Sequence, residues 1–296
     1  MASVSRQDAL VRAMPVVFVM IWATGFVVAR LGMPHAPPMK FLALRYFLSV
    51  LCFAVWAFGV HAAWPRGRWQ LAHLAVTGIL MHAGYLGGVW TAVKLGMGAG
   101  LTALLVSLQP VLTAIWVSSW GGRVTPRQWT GLALGFAGLA LVVWHKLGMG
   151  EINAANLLCA FIALISITVG TLYQKRFVAP CDVRTANLVQ LAAAFAVTLP
   201  LAVFETESIQ WVGELIGAMA WSVLGMTLGG SSLLYLLIQR GAATSVTSLL
   251  YLVPPCTAVM AWLLFDEPIT ALTIAGMALT AFGVSLVVRA PAAVRR

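Results

Sequence analysis

Apolar residues fall along this chain in long continuous runs, not in the spaced or alternating patterns of a water-soluble fold. Ten runs, at roughly residues 14–32, 41–60, 72–93, 99–119, 128–146, 153–174, 186–204, 214–238, 244–264 and 270–288, are long enough to cross a hydrocarbon core of about 30 Å as helices rising about 1.5 Å per residue. Turn-forming or charged segments separate them, at 34–40, 65–68, 121–126, 175–184, 205–211 and 266–268. A membrane β-barrel would need alternating strands of about ten residues, which these runs are not. The pattern predicts an all-α integral membrane protein of ten transmembrane helices, with almost nothing left for a soluble domain. The first run lacks a small-residue cleavage site and reads as helix one, not as a removable leader.

The pattern also repeats. A shift of 145 positions, the distance from Gly96 to Gly241, carries the first half onto the second without a gap. Gly25 falls on Gly170, Gly84 on Gly229, Thr102 on Thr247, Pro110 on Pro255, Gly131 on Gly276, Gly138 on Gly283, and Leu141-Val142-Val143 on Leu286-Val287-Val288. Two repeats follow, 1–147 and 148–296, each with five spans. An odd number of spans predicts that the two copies sit in opposite orientations across the bilayer.

Composition agrees with a membrane protein. Hydrophobic residues make up 61% of the chain and charged residues 9%, and the mean hydropathy is +0.94, whereas soluble domains carry roughly a quarter charged residues. With the N-terminus inside, thirteen of the 18 basic residues fall in inner segments; only Arg30, Lys40, Arg45, Lys94 and Lys146 fall outside. Positive residues concentrate on the cytoplasmic side, so both termini are expected there. The net charge of +10 is then a topology signal. Scattered over short loops with no basic domain, it does not describe a nucleic-acid surface.

Motif scanning mostly excludes. None of Lys40, Lys94, Lys146 and Lys175 precedes Ser or Thr, so no phosphate-binding Walker loop is present. The histidines lack HExxH spacing and Cys52, Cys159, Cys181 and Cys256 lack CxxC spacing, so neither metal nor cofactor is expected. The run Gly96-Met97-Gly98-Ala99-Gly100 reads either as a phosphate cradle or as a tight turn between helices. It follows a helix and not a strand, which favours the turn. Gly84 with Gly88, Gly131 with Gly135 and Gly225 with Gly229 have the small-xxx-small spacing that packs helices.

Polar residues inside spans carry the remaining information, because hydrocarbon tolerates them only with a partner or a cavity. His82 and Tyr85 share a face of helix three, and Ser231, Ser232 and Tyr235 cluster in the matching helix eight. Thr102, Gln109 and Thr113 form one stripe of helix four, and Thr247, Tyr251 and Pro254 the corresponding stripe of helix nine. Each reads either as an interhelical hydrogen bond that packs the bundle or as part of a binding site. Pro110 and Pro254-Pro255 interrupt helices four and nine at matching depth, which in inverted repeats points to a midplane site. Arg30 and Arg45 read either as side chains snorkelling to the outer interface or as partners for a carboxylate.

The segment Trp22-Ala-Thr-Gly-Phe-Val-Val-Ala-Arg30, the start of helix two at Pro38-Met-Lys-Phe-Leu-Ala-Leu-Arg45-Tyr46, and the duplicated order of proline and glycine positions resemble the drug/metabolite transporter superfamily, in its ten-helix form of two EamA-like repeats. The resemblance implies a bacterial inner-membrane carrier that exports small metabolites, such as amino acids or related compounds, through a cavity between the repeats. Asp266-Glu267-Pro268 resembles the family's acidic turn between the last two helices of a repeat, where the first copy has Gly121-Gly122-Arg123. The deep glutamate of the small four-helix multidrug members is missing, which disfavours lipophilic cations.

The sequence thus predicts a secondary carrier working by alternating access, not an enzyme, whose partners are a small-molecule substrate and the lipid bilayer. The substrate site is expected at Trp22, His82, Tyr85, Trp90, Gln109, Ser231, Tyr235 and Tyr251. His82 is the one mid-span titratable group on the favoured face, so either it carries a proton or the carrier runs down the substrate gradient. The rival readings are a membrane-embedded enzyme acting on a lipid or isoprenoid, which would need clustered carboxylates or metal ligands, and a passive channel, which would need a filter or charged ring.

Overall fold

Uninterrupted apolar runs leave the backbone no partner but itself in hydrocarbon, and the chain answers with helices. The computed structural model describes residues 6–119, 125–148, 150–230, 233 and 252–288, and regular structure among them is entirely helical. Helix α1 spans Arg6–Gly32 and α2 Pro38–Gly59. Helix α3, Arg68–Lys94, contains a π-helical segment at Ile79–Gly84. Then follow α4 (Ala99–Val106), α5 (Gln109–Ser119), α6 (Pro126–Gly148), α7 (Ala154–Phe177) and α8 (Val183–Phe204). Helix α9, Gly213–Ala220, runs on as a π helix over Trp221–Gly230. The last two are α10 (Val253–Phe265) and α11 (Ala271–Val288). Among the described residues, six segments are long and apolar enough to cross a membrane: α2, α3, α6, α7, α8 and the α4–α5 stretch Ala99–Trp116. Helix eight beyond Leu233 and the 244–251 part of predicted helix nine lie outside the described residues.

Predicted helix four is not continuous. Ser107 and Leu108 form a turn between α4 and α5, and Pro110 occupies the first turn of α5. Pro254 and Pro255 likewise occupy the first turn of α10. The prolines therefore start helices, where the missing N–H is not needed, instead of kinking an interior. The break splits the expected stripe. The Thr102 hydroxyl donates to the Gly98 carbonyl at 2.8 Å and Thr113 to the Gln109 carbonyl at 2.8 Å, both within their own helical turns.

Helix ends are capped by short-range chemistry. Asn153 and Asn156 form a reciprocal capping box at the start of α7, and Asp182 caps α8. The hydrogen bond from the Arg184 side chain holds the Asp182 carboxyl below its ordinary value. Gly96 ends α3 at φ 96°, and Met97 returns its N–H to the Ala92 carbonyl at 3.0 Å, so the glycine run is a helix-ending turn. The N-terminal amide of α4 is occupied: Ala99 donates to Glu267 Oε1 at 3.0 Å.

Helices pair as equivalents. α2 packs on α8 and α6 on α11, while α3 packs on α7 and α1 on the π segment of α9. The α6–α11 contact is the closest in kind to a backbone weld. A Cβ on Gly138 would stand 2.5 Å from the Gly276 carbonyl oxygen, and one on Gly283 would stand 2.5 Å from the Gly131 carbonyl oxygen. Between them the Thr280 hydroxyl donates to the Gly135 carbonyl at 3.4 Å, across a sequence separation of 145. The 145-residue shift carries Gly131 to Gly276, Gly135 to Thr280 and Gly138 to Gly283. Each contact is thus the image of the other, and numbers rise along α6 as they fall along α11, so the equivalent helices run antiparallel. Small residues make this approach possible where lipid provides no hydrophobic drive between helices. Gly225, by contrast, finds the Trp221 ring of its own helix nearest.

The outer surface is apolar, with Val55, Trp144, Val203 and Phe204 exposed, as lipid contact requires. Trp64, Trp69 and Trp211 are exposed at span ends, positions suited to the interface. If the glycine crossing holds the halves together, Gly138→Ala and Gly283→Ala will each destabilise the detergent-solubilised protein by about 1–3 kcal/mol, as overpacking does. Gly59→Ala, with nothing within 4 Å of its Cβ, will leave the melting temperature unchanged. Equal melting temperatures for all three variants would remove the crossing's structural role.

Candidate functional site

The two π-helical segments bring the polar interior together. A π turn widens the helix and breaks its regular bonding, and such turns recur at functional sites. Ile79–Gly84 and Trp221–Gly230 occupy matching positions under the 145-residue shift. Between them lies a cavity of about 380 Å³, within the range of small-molecule sites. Its walls include Trp22, Gly25 and Phe26 of α1, Arg45 of α2, Met81, His82, Tyr85 and Trp90 of α3, Gln190 of α8, and Met226, Thr227 and Gly230 of α9.

The walls are built from reciprocal contacts between the halves. Arg45 Nη2 donates to Thr227 Oγ1 at 3.2 Å, and the Gln190 side chain stands beside His82 in the same wall. Shifted by 145, Arg45 becomes Gln190 and His82 becomes Thr227, so these are one contact made twice with different side chains. Gly25 faces Met226 and Gly170 faces Met81, again a pair and its image. The glycines of α1 and α7 make room for a methionine from the opposite π segment. The Tyr46 hydroxyl donates to the His82 carbonyl at 2.9 Å, supporting the π segment from α2, and Trp90 stacks on Phe41 with centroids 4.3 Å apart.

At one end the cavity reaches residues 179–183, with Gln174 and Asn187 beside them. Gln70 donates to the Ala179 carbonyl at 2.8 Å there, and burial pushes the Cys181 thiol up. The other end of the bundle is tied across the halves by charge. Lys94 Nζ pairs with Glu207 at 2.6 Å and donates to the Met33 carbonyl at 3.1 Å. Glu205 accepts the backbone N–H groups of Met39 and Lys40 at the start of α2, and Gln210 donates its N–H to the His35 carbonyl at 2.8 Å. Arg30 lies 3.7 Å from Glu267. These acids and bases all sit on the face that the charge count predicts to be outside.

Of the residues expected at the site, Trp22, His82, Tyr85 and Trp90 line the cavity. Gln109 is not among the lining residues; its Nε2 donates to Thr171 Oγ1 at 2.9 Å, tying α5 to α7. Ser231, Tyr235 and Tyr251 lie outside the described residues. Sequence reasoning also placed Arg45 at the outer interface or against a carboxylate. It is buried at 5% exposure inside α2 and faces the cavity. Gln190 and Thr227 were overlooked as site residues, although the repeat shift pairs both with positions already singled out.

The molecule so described is a multi-pass helical membrane protein whose two halves enclose one central cavity. The sequence pattern of the EamA-like transporter family matches residues 13–144 and again 155–289. The chain belongs to the EamA-like transporter family, within the drug/metabolite transporter superfamily. It is 26% identical over 274 residues to the uncharacterized transporter YvbV of Bacillus subtilis (strain 168), covering 91% of this chain and 88% of that protein. A probable amino-acid metabolite efflux pump of Salmonella typhimurium is 25% identical over 293 residues, covering 94% of each. A solved crystal structure matches with a TM-score of 0.64 at 17% identity, over 94% of this chain and 96% of that one, which supports the fold. Family and relatives alike are described as transporters, which points to transport and not catalysis.

Tyr46 gives the site a direct check. Tyr46→Phe keeps the buried ring and removes one of two donors to the His82 carbonyl, which retains the backbone N–H of Tyr85; the loss of such a hydrogen bond costs about 0.5–1.5 kcal/mol. A lowered melting temperature in detergent is expected. An unchanged one would mean that the π segment needs no support from α2.

Proposed function

We propose that this protein is a secondary carrier that exports small organic metabolites, amino acids or related compounds among them, across the bacterial inner membrane by alternating access. The observation that carries the reading is the cavity walled by reciprocal contacts from two halves whose equivalent helices α6 and α11 run antiparallel. Two inverted units can rock about a shared site so that it opens to one side and then the other. In this reading the chain has ten helices in two inverted five-helix repeats, and both termini are cytoplasmic. The cavity reaches residues 179–183 on the cytoplasmic side, while the Lys94–Glu207 and Lys40–Glu205 contacts form the outer seal. The description of the Salmonella relative as an amino-acid metabolite efflux pump agrees with the direction and substrate class.

The reading is tested by counterflow in proteoliposomes, with substrates taken from a growth-rescue screen of an overexpressing strain against toxic amino acids, nucleosides and their analogues. A carrier gives saturable exchange with trans-stimulation. Flux that rises linearly with concentration would instead mark a channel and contradict the proposal. Net flux driven by a pH gradient and lost in His82→Gln makes His82 the proton carrier; flux indifferent to the gradient makes the protein a facilitator.

The outer seal has its own test. Exposed ion pairs are worth about 0.2–1 kcal/mol, so Lys94→Met with Glu207→Gln should shift the equilibrium by about 1.4- to five-fold toward the outward-open state. A Met226→Cys reporter, in a background where Cys52, Cys159, Cys181 and Cys256 are Ser, will then label faster from outside by that factor. Slower labelling would reverse the assignment of the seal.

A further inference from the structure

Arg45 is the cation in the described wall of the cavity, and it is short of partners. It is 5% exposed. Its Nη2 is taken by Thr227, yet Nε and Nη1 have no hydrogen-bond partner among the described residues. A buried charge left unpaired is strongly destabilising, and such groups are held in place by a counter-charge or a ligand. The described residues supply no counter-charge. No Asp or Glu lines the described cavity, and the segment 231–251, of which the structure describes Leu233 alone, contains none. Glu151, Asp182, Glu207 and Glu267 are engaged with Lys146, Arg184, Lys94 and Arg30, and Glu205 with the start of α2.

We infer that Arg45 is the anion-recognising residue of the carrier and that the preferred substrate is an organic monocarboxylate with an apolar or aromatic body. The inference rests on the transport reading and deepens it. The two free guanidinium nitrogens point to an acceptor-rich anionic group, which charge-assisted hydrogen bonds hold best. Trp22, Tyr85 and Trp90 provide flat apolar surface for the rest of the molecule within a volume of about 380 Å³. One cation matches one negative charge. The α-ammonium of a zwitterion would meet no carboxylate in the described wall and would feel the like charge of Arg45, so the ammonium adds nothing to binding.

The test compares acids with neutral and cationic isosteres on the purified full-length protein. Thermal stabilisation in detergent gives dissociation constants for 3-phenylpropanoate, 4-methylpentanoate and indole-3-acetate, for their three primary amides, and for phenylalanine and phenethylamine. A site built around a charged donor rejects analogues lacking the negative charge by about ten-fold or more. At least one acid is expected to bind ten-fold tighter than its amide, and phenylalanine no tighter than 3-phenylpropanoate. Arg45→Gln will remove that preference, and Arg45→Lys will keep part of it. Should Arg45→Gln fail to fold, the acid-to-amide ratios of the wild type and Arg45→Lys decide alone. Equal affinity for acids and amides, tighter binding of phenylalanine than of 3-phenylpropanoate, retention of the preference in Arg45→Gln, or binding of none of the acids overturns the inference. Uptake by proteoliposomes separates the two readings. Flux without acid preference removes the role of Arg45 and leaves the carrier; acid-selective binding without flux removes the carrier and leaves Arg45.

Discussion

The close crossing of α6 and α11 at Gly135 and Thr280 is the constraint on which the rest of the architecture depends. Two equivalent helices meet there backbone to backbone, and the contacts on either side are images of each other. An interface that exchanges its two members in this way has a two-fold axis running through it. Gly138, Gly276 and Gly283 bring the backbones within touching distance, where an added Cβ would meet main-chain atoms of the facing helix at 2.5–2.7 Å. The same exchange recurs elsewhere in the bundle: α2 meets its equivalent α8, and α3 meets α7 as α1 meets the π segment of α9.

The cavity follows from the same symmetry and departs from it in chemistry. Backbone positions recur faithfully: Gly25 against Met226 and Gly170 against Met81, Arg45 against Thr227 and Gln190 against His82. The side chains do not recur. One half contributes a guanidinium and an imidazole, the other an amide and a hydroxyl, so a symmetric frame holds an asymmetric polar site. This division suits a carrier. The frame must reach two related conformations, whereas the substrate must be recognised by the same few groups in both. The charges at the Lys94 and Glu207 end add a second asymmetry, because the opposite end is tied by the neutral contact of Gln70 with Ala179.

Much of this was legible in the sequence, and for physical reasons. Continuous apolar runs admit little besides helices in a bilayer, so the all-α membrane character and the positions of α2, α3 and α6 to α8 could be read directly. The glycine register gave the repeat because close packing tolerates no substitution at Gly131, Gly138 and their images. His82 and Tyr85 could be picked out because polar side chains on one face of a span need a reason to be there, and Trp22 through the family-like segment that carries it. Arg45 was harder. A basic residue shortly after a span begins usually snorkels, and only the packing of α2 beneath the π segments shows that it turns inward. Gln109 misled for the opposite reason, since its stripe with Thr102 assumed an unbroken helix and the chain turns at Ser107. The π segments left no trace in hydropathy, which counts apolar residues without regard to the bonding between turns.

The central claim is that the two halves are inverted across the membrane, and sidedness tests it most directly. Gly59, at the end of α2, and Phe204, at the end of α8, are images under the 145-residue shift and both are exposed. Single cysteines at these two positions, in a chain otherwise free of cysteine, can be probed in intact cells and in inverted vesicles with a membrane-impermeant maleimide. The account predicts that Gly59→Cys labels only in inverted vesicles and Phe204→Cys only in intact cells. Labelling of both from the same side would contradict it.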